Sequence, residues 1–174
     1  PRGLFWPELP HNDEAGWKRV MANAPIYNKV NATIGSAIDK NHPSQLSNYP
    51  YPLLVADASK EANEVYAIVK AMNDHYADYK DAAPGASGWR IDAQNMTWAM
   101  PYHDGAIRFW KEANLWTLEA QLHHDKLVER QRVIKEAWDG LPDKDDLDQY
   151  DLMVAWAKTR SAALRASSLD LVFK

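Results

Sequence analysis

The sequence predicts an α-rich α/β fold of about six helices and one or two strands, on three observations. Apolar residues recur at helical spacing along several long segments. Side chains that favour helix starts stand in front of those segments, Thr117 before Leu118 being the plainest. Against them stands one short apolar run behind two prolines, Tyr49-Pro50-Tyr51-Pro52-Leu53-Leu54-Val55-Ala56-Asp57, with the pattern of a buried strand.

Residues 1–50 hold six of the ten prolines. Proline fixes its own φ and pushes the preceding residue out of the α region, so this part is expected to be loop-rich. A helix is predicted from Asp13 to Ala22, capped by Asn12, with Trp17, Val20 and Met21 as its apolar face. A short strand is expected around Val30 to Ile34. After the strand at Tyr49–Asp57, Ser59 is placed to cap a helix whose face carries Val65, Ile68, Val69, Met72 and Tyr76.

Pro84 to Gly88 reads as a loop. Asp92 is expected to cap a short helix to Ala99, ended by Pro101. Further helices are predicted over Asp104–Ala113, Leu118–Trp138 and Asp145–Ser167, with Gly140-Leu141-Pro142 closing the second of these. On the last helix, Leu147, Tyr150, Val154, Ala157, Ser161 and Leu164 share one face. The organisation divides into a Pro-rich segment (1–50), a central portion (51–138) and a C-terminal helical extension (139–174).

The composition narrows the function classes. In 174 residues, 46% are apolar and 25% charged, which favours a packed core over disorder. A net charge of −4 gives no electrostatic reason to bind nucleic acid. Apolar runs fall far short of the ~20 residues that span a bilayer. Absence of cysteine excludes thiol chemistry. The opening Pro1-Arg2-Gly3-Leu4-Phe5-Trp6-Pro7, without a signal peptide, reads as the interior of a longer polypeptide or a processed product. Eight tryptophans imply a Trp-rich core or contacts between lobes or subunits.

The most distinctive stretch is Met100-Pro101-Tyr102-His103-Asp104-Gly105-Ala106-Ile107-Arg108-Phe109-Trp110-Lys111-Glu112. It resembles the signature near the C-terminal end of TAXI-family solute receptors, the extracytoplasmic binding proteins of TRAP (tripartite ATP-independent periplasmic) transporters. Pro1 to Pro7 with Asp13 to Trp17, then Tyr51 to Val55, Val65 to Ile68 and Asp92 to Met100, resemble family segments in the same order. The similarity therefore runs over residues 1 to 138. Asp104 stands where the family often has Pro, and both residues suit a turn.

The resemblance implies part of a two-lobe, periplasmic-binding-protein-like (type II) fold, this chain being the C-terminal half. It implies non-covalent binding of a small organic acid or amino acid, no enzymatic step, no cofactor and a periplasmic location. The implied partners are the membrane permease subunits and, where the N-terminal lobe is separate, a second chain carrying it. The alternative is a shortened or split scaffold serving as an interaction subunit of a larger, membrane-associated assembly.

Within the signature, Pro101, His103, Gly105, Arg108 and Glu112 are read as structural. His103 and Asp104 cap the helix, Gly105 permits close packing, and Arg108 pairs with Glu112 at i, i+4. Asn31, Thr33 and Ser36 are the ligand-binding candidates, because hydroxyls and backbone N–H groups beside Gly35 suit a carboxylate. His123-His124-Asp125 is read as a solvated helix face rather than a metal site, since adjacent helical side chains diverge by about 100°. The acidic run Asp143, Asp145, Asp146, Asp148 and Asp151 lacks the Gly and Glu of a calcium loop and suits a helix N-terminus instead. No motif supports catalysis.

Overall fold

A computed structural model describes residues 4–50, 53–83 and 85–171. The fold is helix-rich with one two-stranded sheet, and the chain forms two compact units, Pro1–Tyr49 with Asp170–Lys174, and Pro50–Leu169.

In the first unit, helix α1 (Glu14–Asn23) is capped by Asp13, whose carboxylate accepts the Gly16 N–H at 2.8 Å. The cap is thus one residue later than Asn12. Trp17 is buried, and its indole N–H donates to the Pro10 carbonyl at 3.0 Å. Strands β1 (Asn28–Ala32) and β2 (Ser44–Asn48) pair antiparallel, with Val30 opposite Leu46. β1 ends before Ile34, which is 92% exposed.

β2 carries Ser-Gln-Leu-Ser-Asn and has no apolar alternation. The backbone of Gln45 accepts the Leu9 N–H at 2.7 Å, while its side chain accepts the His11 N–H at 2.8 Å. A polar segment is therefore held as a strand by hydrogen bonds on both sides.

The strand expected over Tyr49–Asp57 is not formed by its described residues. Leu53 to Asp57 are exposed and lie in no sheet, and Tyr51 and Pro52 lie outside the described residues. Ser59 does not cap the helix that follows. Its N–H and hydroxyl both donate to Asp57, closing a turn, and α2 (Ala62–Asp74) starts after Glu61 without a side-chain cap. Val65 is buried and Val69 partly so, but Ile68 faces outward at 51% exposure. A single further turn, α3 (Tyr76–Tyr79), follows.

The helix expected from Asp92 to Ala99 is only a 3₁₀ turn at Ile91–Ala93, preceded by another at Ala86–Trp89. Of the expected loop at 84–88, Pro84 lies outside the described residues. Gly85 takes φ 91°, a left-handed conformation that suits glycine. Helix α4 (Asp104–Glu112) packs against α2 around Val65, Ala106, Phe109 and Trp110.

α5 (Leu118–Asp139) is capped by Thr117, which accepts the Ala120 N–H at 3.1 Å. Its C-terminal end falls at Gly140. α6 (Gln149–Ala166) returns against α5, with Trp138 and Trp156 edge-to-face at 5.2 Å. It begins four residues later than Asp145, because Asp148 caps it by accepting the N–H groups of Tyr150 and Asp151, each at 2.9 Å. Leu164 is its most buried residue. Tyr150, Val154 and Ala157, expected on the packed face, are instead exposed. Among the described residues, no helix is long and apolar enough to cross a membrane.

Candidate functional site

The signature folds as one docking device. Pro101 and Tyr102 precede His103, whose extended backbone (φ −71°, ψ 146°) marks the helix boundary. The His103 ring then bridges two elements. Its Nδ1 accepts the Gly105 N–H at 3.1 Å, and its Nε2 lies 3.1 Å from the Lys60 carbonyl. With Nδ1 accepting, the neutral ring carries its proton on Nε2 and donates it to Lys60. One side chain thus caps α4 and ties it to the segment before α2. Asp104 is the first helical residue, where its charge suits the positive end of the helix dipole, and His103 alone makes the side-chain cap bond.

Gly105 is where the two helices touch backbone to backbone. A Cβ there would collide with the Ala62 carbonyl oxygen, and would stand 2.8 Å from the Tyr66 nitrogen and 2.9 Å from the Val65 Cβ. Only glycine allows this approach.

Arg108 and Glu112 do not pair with each other. Both reach across to Tyr66 on α2. The Arg108 guanidinium sits 3.9 Å from the centroid of the Tyr66 ring and donates to the Asn63 side chain at 2.8 Å. The Tyr66 hydroxyl donates to Glu112 at 2.5 Å. A tyrosine between a cation and a carboxylate satisfies both partners across the helix interface, which a pair along one helix would not.

The hydrogen bond to Glu112, followed by burial, raises the Tyr66 pKa above the ordinary tyrosine value. A raised folded-state pKa contributes stability in full below the unfolded value and loses it as pH rises through the folded one. The Tyr66–Glu112 link is therefore present at neutral pH and fails in the alkaline range. Glu112→Gln is expected to bring the Tyr66 titration back toward normal. Tyrosinate absorbance, differenced against Tyr66→Phe, measures it; an unchanged titration would rule out the carboxylate as the cause.

Below this interface lies an aromatic chain. Tyr66 meets Phe109 at 6.3 Å, Phe109 meets Trp110 at 5.0 Å, Tyr102 meets Trp110 at 6.3 Å and Trp116 at 5.8 Å, and Trp116 meets His124 at 5.8 Å, all edge-to-face. His124 is buried, and His123 lies 2.7 Å from the Trp98 carbonyl, so neither belongs to a solvated face. His124 falls four residues after Ala120, which is fully buried, so the two share the inner face of α5. The Trp110 Nε1 and His124 Nδ1 are buried without a hydrogen-bond partner among the described residues. Among the described residues, no group of His, Asp or Glu could hold a metal ion.

Asn31, Thr33 and Ser36 lie in the first unit and are exposed. Asn31 stands in β1 opposite Gln45, Thr33 follows the strand, and Ser36 occupies the turn between Gly35 and Ile38. The Ser36 carbonyl accepts the Trp6 indole N–H at 2.7 Å. The signature residues lie in the second unit. There, an open groove of about 600 Å³ runs beside α6, lined by Leu141, Pro142, Ala155 and Ala162 with Lys158 and Thr159 as its polar members.

Compared with known proteins, the chain matches no family model, no curated protein and no solved structure.

Proposed function

We propose that this chain is a lobe portion of an extracytoplasmic solute receptor of the TAXI type. In this reading it binds a small organic anion or amino acid without catalysis and delivers it to the permease subunits of a TRAP-type transporter. The resemblance of residues 101–112 motivates the reading. The observation that carries it is the state of Leu53-Leu54-Val55. These residues have the apolar run of a strand buried on both faces, yet they are 43%, 54% and 67% exposed. Such a run is stable in water when a sheet covers it, and a second lobe would bring that sheet. Asn31, Thr33 and Ser36 would then be the polar contacts to ligand, completed by groups of the other lobe.

A thermal-shift screen of organic acids and amino acids tests this. The chain by itself is expected to give no hit. The two-lobe protein is expected to give at least one, with stabilisation that follows ligand concentration as linkage requires. A two-lobe protein that responds to no small anion would count against the receptor.

A second reading, an interaction subunit of a larger assembly, is favoured by a different observation. Tyr150, Met153 and Val154, clustered on the first turns of α6, are 68%, 59% and 50% exposed. Apolar residues grouped in this way mark contact surfaces. Co-purification of a stable protein partner, with no response to small anions, would favour it over the receptor.

A further inference from the structure

We propose that the outer face of α6 is a self-association surface, on which a second copy of this chain packs its own α6 antiparallel about a two-fold axis near Val154. This goes beyond the receptor reading and does not depend on it.

The face is built for a helix. Tyr150, Val154 and Ala157 follow one another at spacings of four and three, with Met153 beside them. Tyr150 is 68% exposed, Met153 59% and Val154 50%. α6 meets α5 through Trp156, which lies edge-to-face with Trp138 away from this stripe, and at the far end of the stripe Leu164 is buried. Ala157 is small enough for two helix backbones to approach.

The charges select the occupant. Asp151 and Lys158 lie on the same edge of this stripe, seven residues apart, and both are exposed. On the neighbouring helix, Arg132 pairs with Glu129 and Glu136, and Lys135 with Asp139. Among the described residues, neither Asp151 nor Lys158 joins an ion pair. In an antiparallel pair of identical helices, like edges face each other with reversed direction. An axis near Val154 then sets Asp151 of each copy beside Lys158 of the other, twice per dimer. The apolar stripe covers itself in the same register, Tyr150 lying over the Ala157 level. A parallel pair would set this edge against the opposite one, where Met153 and Arg160 stand, and would leave the complementarity unused. A self-complementary patch of this kind makes a closed two-fold dimer.

Sedimentation of the whole chain across the micromolar range tests the surface, with near-UV dichroism confirming that each variant is folded. A monomer–dimer equilibrium is expected. Val154→Glu should abolish it, because the substitution places two like charges at the axis. Asp151→Lys should weaken dimerisation about tenfold, and the exchange Asp151→Lys with Lys158→Asp should restore it. The chain has no cysteine, so Val154→Cys carries a lone thiol, and mild oxidation should link two copies through it. A chain that stays monomeric throughout would overturn the proposal. So would a dimer that ignores Val154→Glu and resists the Val154→Cys cross-link. A dimer broken by Val154→Glu but not restored by the charge exchange would overturn the antiparallel register.

Discussion

Gly105→Val is expected to destabilise the protein by about 3 kcal/mol or more, seen as a lowered urea midpoint with the slope unchanged. The reason is geometric. The new side chain meets backbone rather than the end of a flexible side chain, at the Ala62 carbonyl and the Tyr66 nitrogen. Backbone atoms inside α2 cannot rotate away, so α4 must lift off α2 as a body. That separation also pulls His103 from Lys60, Arg108 from Asn63 and Glu112 from Tyr66. His103→Ala removes one cap and one tie and is expected to cost about 1 kcal/mol. If His103→Ala proved as damaging as Gly105→Val, the helix contact at Gly105 would not be the determinant of this interface.

Phe109→Ala is expected to cost about 3–5 kcal/mol. Phe109 is 5% exposed and touches both Tyr66 and Trp110 edge-to-face, so truncation opens a cavity at the centre of the aromatic chain. Thermal melts of the variant should show a large drop in midpoint, together with a weakened near-UV signal from the adjacent Trp110. A loss below about 1 kcal/mol would mean that the cluster can collapse into the space, and that packing there is looser than the ring contacts indicate.

The helices with strong local signals were legible in the sequence. Thr117 caps α5 as its hydroxyl predicts, Gly140 ends it, and α4 spans almost the residues that the His-Asp-Gly turn suggests. The helix-rich class with one or two strands follows from the same signals. Where the reading failed, tertiary hydrogen bonds or missing cover decided the outcome. β2 has no strand pattern and forms because Gln45 and its register with β1 hold it. Leu53 to Val55 have the pattern and lie in no sheet among the described residues.

The signature shows the same limit. Its helix start and the need for Gly105 were readable from residue type. The partners of Arg108 and Glu112 were not, because i, i+4 spacing permits a pair that a tyrosine on another helix can outcompete. Tyr66 offers the cation its ring and the carboxylate its hydroxyl at once. On α6, spacing identified an apolar stripe but could not say whether it faced α5 or solvent. The helix has apolar residues on both sides: Trp156 packs on Trp138 of α5, while the stripe is exposed from Tyr150 to Ala157 and buried only at Leu164.

The central claim is that residues 101–112 serve as the packing core of the helical unit, while the adjoining apolar run is left for a sheet to cover. Hydrogen–deuterium exchange of the chain tests both halves in one measurement. The account predicts the slowest exchange within Ala106–Trp110 and the facing Val65–Val69 segment. It predicts that Leu53 to Ala56 exchange freely, and gain protection when a second lobe is present. Slow exchange at Leu53–Val55 in the chain by itself, or fast exchange through α4, would contradict it.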